Sequence, residues 1–272
     1  MNPTIGVFDS GFGGLTVLRA LIARLPQANF AFIGDTARLP YGSKSRRTIA
    51  RFAQECARFL VDQQGAQFLV IACNTASALA LDAIQNAVPV PVLGVIEPGA
   101  EAAHAASRTR DVLVIATDAT VQSHAYAAAC QARGLRALEK ACPLLVPLVE
   151  EGWTTSPVTA EVFRIYLDEL LADADAQGMN PDTLVLGCTH YPLLRPLIER
   201  AVPAGMQVID SAEAAAQAAS SLIDQHQTIK APPAPAQEIR CFATDSVEKF
   251  ELLGSAFLGQ PTGKVSLVDL GG

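Results

Sequence analysis

Two apolar runs end in nearly the same polar way: Leu69-Val70-Ile71-Ala72 leads into Cys73-Asn74-Thr75, and Leu184-Val185-Leu186-Gly187 leads into Cys188-Thr189-His190. Short runs of Val, Ile and Leu without polar alternation are strands buried on both faces, the pattern of a parallel sheet covered by helices. Upstream of each run lies another strand that closes on a polar cluster, Asp9-Ser10 before the first and Thr117-Asp118 before the second. This repetition predicts an α/β fold of two similar parallel-sheet lobes, related by a pseudo-two-fold axis, with a site in the cleft between them.

Working outward, short β-branched runs predict strands over 4–8, 30–33, 68–72, 90–95, 111–116, 183–187, 207–209, 239–242 and 265–268, alternating with segments of helical period. The clearest helix follows Ser43, where Ile49, Phe52, Cys56, Phe59 and Leu60 recur at three- and four-residue steps and share a buried face. Cys56 is then core filler, and Ser43 reads either as the N-cap or as a hydroxyl facing a ligand. The expected first lobe is 1–96 with 210–272, carrying Cys73; the second is 97–209, carrying Cys188. Glu97-Pro98-Gly99 and Val208-Ile209-Asp210-Ser211 read as the links, and Ala231-Pro232-Pro233-Ala234-Pro235-Ala236 as an extended surface loop.

The chain has 272 residues, half of them hydrophobic and 17% charged, enough for a sizeable core in each lobe. With 20 Lys plus Arg against 27 Asp plus Glu, a net charge of -7 argues against nonspecific binding to nucleic acid or to an anionic membrane. The segment from Met1 to Asp9 lacks the basic and apolar regions of a signal peptide. Asn74, Thr75 and Ser77 interrupt the apolar stretch 69–81 before the roughly 18 residues of a membrane span. A cytoplasmic protein is expected, with six scattered cysteines as free thiols. No Cys-x-x-Cys pair or His cluster suggests a metal.

Ligands of open α/β sheets bind beyond the carboxyl ends of the strands, where Cys73 and Cys188 both fall. There the positive end of the following helix is expected to draw a thiol pKa from about 8.5 toward neutrality. Two lobes face to face would present one sulfur on each side of a substrate carbon. That suits removal of a proton from one face and its return to the other, which inverts a stereocentre. Cys130, Cys142 and Cys241 lack this context and read as structural.

The loop Asp9-Ser10-Gly11-Phe12-Gly13-Gly14 opens a helix, and its glycines let backbone N–H groups approach a small anion. Thr16 stands where a third glycine would complete a dinucleotide fingerprint, and no Gly-x-x-x-x-Gly-Lys occurs. Asp9 could orient a thiol or a substrate ammonium. The irregular loop from Gly34 to Ser43 reads as functional, Pro40-Tyr41-Gly42 especially. Thr117, Thr120 and Ser123 supply hydroxyls at a helix start, at least one of them as a cap. Thr189 and His190 could serve a carboxylate and a reacting thiol, whereas His104, His124 and His226 fall in expected helices.

These motifs together resemble the bacterial glutamate racemases over essentially the whole chain. The matching segments are Ile5-Gly6-Val7-Phe8-Asp9-Ser10-Gly11 with Gly13-Gly14-Leu15-Thr16-Val17, Gly34-Asp35-Thr36 with Pro40-Tyr41-Gly42, and Ala72-Cys73-Asn74-Thr75-Ala76. They continue with Cys142-Pro143-Leu144, Val146-Pro147-Leu148-Val149-Glu150-Glu151-Gly152 and Leu186-Gly187-Cys188-Thr189-His190-Tyr191-Pro192. The resemblance implies interconversion of L- and D-glutamate for peptidoglycan synthesis without pyridoxal phosphate, metal or other cofactor. By it, Cys73 would act on the D-enantiomer and Cys188 on the L-enantiomer, assisted by Asp9 and His190 respectively. Substrate contacts would fall on Asp9, Ser10, Pro40, Tyr41, Gly42, Asn74, Thr75, Thr117, Thr120, Thr189 and His190, with Asp35 and Glu151 in a second tier. Related enzymes are often homodimers, the assembly the resemblance suggests. Phe12 departs from the smaller apolar residue common at its position.

Three other readings compete. A racemase of the same superfamily could act on aspartate or another small carboxylate, although its decarboxylases keep one of the two cysteines where this chain has both. A two-lobed amino-acid binding protein would share the cleft but normally requires export. A Cys-His hydrolase would pair Cys188 with His190, for which a two-residue spacing across a turn predicts poor geometry.

Overall fold

The computed structural model describes residues 2–225 and 237–271. Its first sheet has six parallel strands, β1 (Thr4–Asp9), β2 (Asn29–Gly34), β3 (Phe68–Ile71), β4 (Val92–Gly94), β9 (Ile239–Ala243) and β10 (Val265–Leu267), in the order β10-β9-β2-β1-β3-β4. The second has four, β5 (Asp111–Ala116), β6 (Arg136–Ala141), β7 (Thr183–Gly187) and β8 (Gln207–Asp210), ordered β6-β5-β7-β8 and again parallel. The order β2-β1-β3-β4 thus recurs as β6-β5-β7-β8. The two cysteine-bearing runs are the equivalent strands β3 and β7, each beside its sheet's leading strand.

Helices α1 (Leu15–Arg24), α2 (Arg46–Arg58), α3 (Asn74–Gln85) and α4 (Ile96–Ala106) follow β1 to β4 in turn. Between β5 and β8 lie α5 (Asp118–Ser123), α6 (Ala125–Gln131), α7 (Leu145–Glu150), α8 (Pro157–Ala176) and α9 (Arg195–Ala201). The chain returns through α10 (Ser211–Gln225), and α11 (Val247–Leu258) joins β9 to β10. None of the described helices is long and apolar enough to cross a membrane.

Successive residues of each central strand point to opposite faces, and both faces are covered. Val7 and Leu113 enter a large core that also holds Phe32, Phe163, Leu186 and the alanines Ala212, Ala215 and Ala219 of α10. Phe8 faces the opposite way, into a cluster with Ile49, Phe52 and Cys56 of α2, so Cys56 is indeed core. Val112 and Val114 join Tyr126 and Cys130 of α6 in a third. The large core draws side chains from both sheets, so the two halves share packing rather than meeting only at a cleft.

Several local expectations are corrected. The strand expected over 90–95 is only Val92–Gly94, and Arg136–Ala141 is a strand that the pattern did not suggest. Glu97-Pro98-Gly99 is helical and not an irregular link: it lies in the first turn of α4, which runs from β4 of the first sheet toward β5 of the second, and there proline sacrifices no hydrogen bond. The segment 208–211 is likewise structured, ending β8 and starting α10. Ser45, not Ser43, caps α2, its Oγ accepting from Thr48 N at 3.3 Å. His124 sits between α5 and α6 with φ 52°, outside any helix. Cys130, Cys142 and Cys241 are buried free thiols. His226 and the Pro-rich segment lie outside the described residues.

Candidate active site

A cavity of about 400 Å³ opens where the carboxyl ends of the two sheets face each other. Both Cys73 and Cys188 line it, one from each sheet, with Ser10, Pro40, Tyr41, Gly42, Asn74, Thr75, Thr117, Thr189, His190 and Glu151. Asp9, Asp35 and Thr120, also singled out in the sequence, stand behind this wall and are buried.

Cys73 is the N-cap of α3, its Sγ accepting from Ala76 N–H at 3.4 Å and donating to Ser10 Oγ at 3.4 Å. The expected lowering of its pKa does not occur. Burial, and then the neighbouring Asp9 carboxylate, push the thiol up to about 12 against the stabilising bonds from Ser10 and Ala76. Desolvation of a thiolate here outweighs the field of one helix end. Asp9 itself is raised by burial, an effect that His190 and the N–H groups of Gly14 and Gly11 only partly offset. Gly11 N–H donates to Asp9 Oδ2 at 3.0 Å, so the glycine loop spends at least this donor on its own aspartate instead of on an external anion.

The Cys188 side carries a different charge. His190 Nδ1 lies 3.9 Å from Cys188 Sγ, and Nε2 is 3.3 Å from Glu150 Oε1, whose other oxygen pairs with Lys249 Nζ at 3.5 Å. Burial alone would favour neutral imidazole, but the bonds to Cys188 and Glu150 outweigh it and hold His190 up at about 10. The same bonds favour its imidazolium form. Burial of Glu150 is likewise overcome by His190 and Lys249, which keep its pKa below the ordinary carboxylate value. The turn at 188–190 therefore brings sulfur and imidazole together, contrary to the poor geometry expected from their spacing. Gly13 makes this turn fit, because a Cβ there would stand 2.5 Å from Thr189 Oγ1 and 2.6 Å from His190 Nδ1.

Part of the wall is rich in hydroxyls. Thr75 Oγ1, from the first sheet's side, lies 3.0 Å from Thr117 Oγ1 and 3.1 Å from Thr120 Oγ1, which are themselves 2.9 Å apart. Thr117 occupies the N-cap position of α5 without a side-chain cap bond, and Ser123 Oγ instead accepts from Ala125 N–H at the start of α6. Asn74 Oδ1 accepts from Tyr126 Oη at 2.7 Å, while its buried Nδ2 has no partner among the described residues. An orphaned amide donor on a cavity wall is a natural place for a ligand carboxylate.

The 34–43 loop is fixed from behind. Asp35 accepts from Tyr41 Oη at 2.5 Å, from Thr244 Oγ1 at 2.9 Å and from Arg38 Nε at 2.8 Å, and Arg38 also pairs with Glu55. Asp35 thus holds Tyr41 in the cavity wall and does not itself face the cavity.

A family model described as Asp/Glu/Hydantoin racemase matches residues 5–219. The chain belongs to that racemase family. Among its relatives, the glutamate racemase of Koribacter versatilis is 51% identical across 100% of this chain and 99% of its own length. The crystal structure of the Francisella tularensis glutamate racemase with D-glutamate superposes with a TM-score of 0.89 at 35% identity, over 99% of this chain and 98% of that one. The Escherichia coli glutamate racemase, solved with L-glutamate and an activator, gives 0.78 at 26% identity over the full length of both.

Within this racemase-family chain, sequence reading missed Glu150 and Lys249. Glu151, singled out in the sequence, lines the cavity but is exposed, whereas Glu150, the last residue of α7, is the carboxylate hydrogen-bonded to His190. The one available signal was the adjacency of two carboxylates inside the motif 146–152, which cannot say which of them bonds to His190.

Proposed function

We propose that the chain is a cofactor-independent, two-thiol glutamate racemase that supplies D-glutamate to peptidoglycan synthesis in the cytoplasm. The observation that carries the reading is the placement of Cys73 and Cys188 at the ends of equivalent strands of two sheets, both on one cavity. Relatives solved with D- and with L-glutamate support the substrate.

In the L-to-D direction, Cys188 Sγ takes the α-proton while the adjacent His190 imidazolium stabilises negative charge on that sulfur. Cys73, a protonated thiol at neutral pH, returns a proton to the opposite face. In the reverse direction Cys73 must first lose its proton, and Asp9, close enough to raise its pKa, assists. Asn74 Nδ2 and the hydroxyls of Ser10, Thr75, Thr117 and Thr189 bind the substrate carboxylates. Fixed donors in a site shielded from water stabilise the carbanion that develops at Cα. Closure of the lobes 1–96 with 210–272 and 97–209 onto the substrate excludes that water. Glutamate then slows hydrogen exchange in the cleft loops; exchange indifferent to glutamate removes closure from the scheme.

The deciding experiment is incubation with L- or D-glutamate in deuterated water, following optical rotation and deuterium at Cα. Loss of rotation with deuterium entering the inverted product is expected, and inversion without isotope would contradict the two-thiol scheme. Turnover of aspartate in place of glutamate would overturn the substrate.

A further inference from the structure

Lys249 is a surface lysine on α11, a helix that packs on α1 and β10, beside the six-stranded sheet. Its ammonium nevertheless reaches across to Glu150, at the end of α7 among the elements of the four-stranded sheet. It also stands 5.7 Å from the ring centre of Phe12, near enough for a cation–π contact. Lys249 is not among the residues lining the cavity, so it has no place as a substrate contact.

Four groups run in a line from the surface inward, Lys249, Glu150, His190 and then Cys188 Sγ, at 3.5, 3.3 and 3.9 Å. The imidazole also packs against two aromatic rings. Its ring centre lies 6.1 Å from that of Phe12 and 5.3 Å from that of Phe257, and those two rings are 5.7 Å apart. Phe12 and Phe257, like Lys249, come from the side of the six-stranded sheet, whereas Glu150, His190 and Cys188 come from the other. The half-site containing Cys188 is therefore completed by residues of the opposite half. A half-exposed lysine in this position does one thing that solvent cannot: it fixes the rotamer of Glu150, so that Oε1 stays on His190 Nε2 and the ring keeps Nδ1 on the sulfur.

We propose that Lys249 is a positioning residue for the Cys188 half-site, acting through Glu150 and His190 from the opposite half of the molecule. The proposal rests on the racemase reading above only for its kinetic consequence. Its consequence for the sulfur holds whatever the substrate.

The test uses Lys249→Met, Lys249→Arg, Glu150→Gln and the double variant Lys249→Met/Glu150→Gln in the full chain. Without substrate, alkylation of each cysteine by iodoacetamide is followed by peptide mass spectrometry. Alkylation of Cys188 is expected to slow about threefold to tenfold in Lys249→Met, that of Cys73 to stay unchanged, and Lys249→Arg to restore the wild-type rate. With glutamate, kcat falls by a similar factor while KM stays within about twofold, because no substrate contact is lost. In the Glu150→Gln background Lys249→Met has no further effect, since the route runs through Glu150. Equal alkylation of Cys188 in wild type and Lys249→Met, or full additivity in the double variant, overturns the assignment. A wild type that leaves glutamate unchanged overturns the functional reading instead, and the alkylation comparison still decides the role of Lys249.

Discussion

Tyr126 Oη donates to Asn74 Oδ1 at 2.7 Å, tying α6 of the second half to the first residue of α3 in the first half. The bond fixes which end of the amide is an acceptor already satisfied and which is a buried donor left open. Asn74→Asp replaces that donor by a carboxylate and is expected to raise KM for glutamate about tenfold or more, the value of a lost hydrogen bond to a charged group. Tyr126→Phe frees the amide to turn over and is expected to cost about 1–3 kcal/mol of stability by denaturant unfolding. Unchanged KM in Asn74→Asp would take Asn74 out of the binding site.

Cys73→Ala and Cys188→Ala should each lower racemisation by about 10²-fold or more with an unchanged circular dichroism spectrum. Enantiomers have equal free energies in water, so kcat/KM must fall by the same factor in the two directions for each variant. Near-normal turnover by either variant would remove that sulfur from the chemistry.

The pH dependence follows from His190. Its folded pKa is about 10, above the ordinary value of about 6.5. A group raised on folding contributes stability that is complete below its unfolded pKa and is lost as pH climbs through the folded one. The stability difference between wild type and His190→Gln should therefore be largest below about pH 6.5 and shrink steadily toward pH 10. Thermal melts of both proteins across that range would read it, and a difference that grows with pH would contradict the imidazolium assignment.

Tyr41 separates anchoring from contact. Its hydroxyl is committed to Asp35, so Tyr41→Phe should lose about 1–2 kcal/mol of stability while kcat/KM stays within about threefold. A large loss of activity with unchanged stability would show that the hydroxyl serves the substrate.

The strands most legible in the sequence were those buried on both faces. Leu69-Val70-Ile71 and Leu184-Val185-Leu186 have no polar alternation because helices cover both sides, and their shared ending disclosed the repeated topology. Arg136–Ala141 escaped notice because it is an edge strand, largely half-buried, whose Arg, Glu and Lys dilute the apolar signal. Glu97-Pro98-Gly99 looked like a break since proline and glycine usually punctuate, but in the first turn of a helix neither does.

Within the site, residue identity was readable and electrostatic state was not. The position of Cys73 at a helix start follows from the strand-to-helix boundary, whereas its raised pKa depends on Asp9 and on burial, which only the packed chain sets. Glu150 and Lys249 were beyond reach for a related reason. Their pairing joins α7 to α11, far apart in sequence, and no local pattern encodes it.

The recurrence of one strand order in both sheets has a last consequence. The two walls of the cavity are copies in topology but opposites in proton inventory, a neutral sulfhydryl on one and a cationic ring on the other. Left- and right-handed ligands therefore meet the same scaffold under unequal fields. The two senses of turnover are therefore expected to differ in how readily they saturate, while thermodynamic symmetry between the hands leaves neither sense with a net drive.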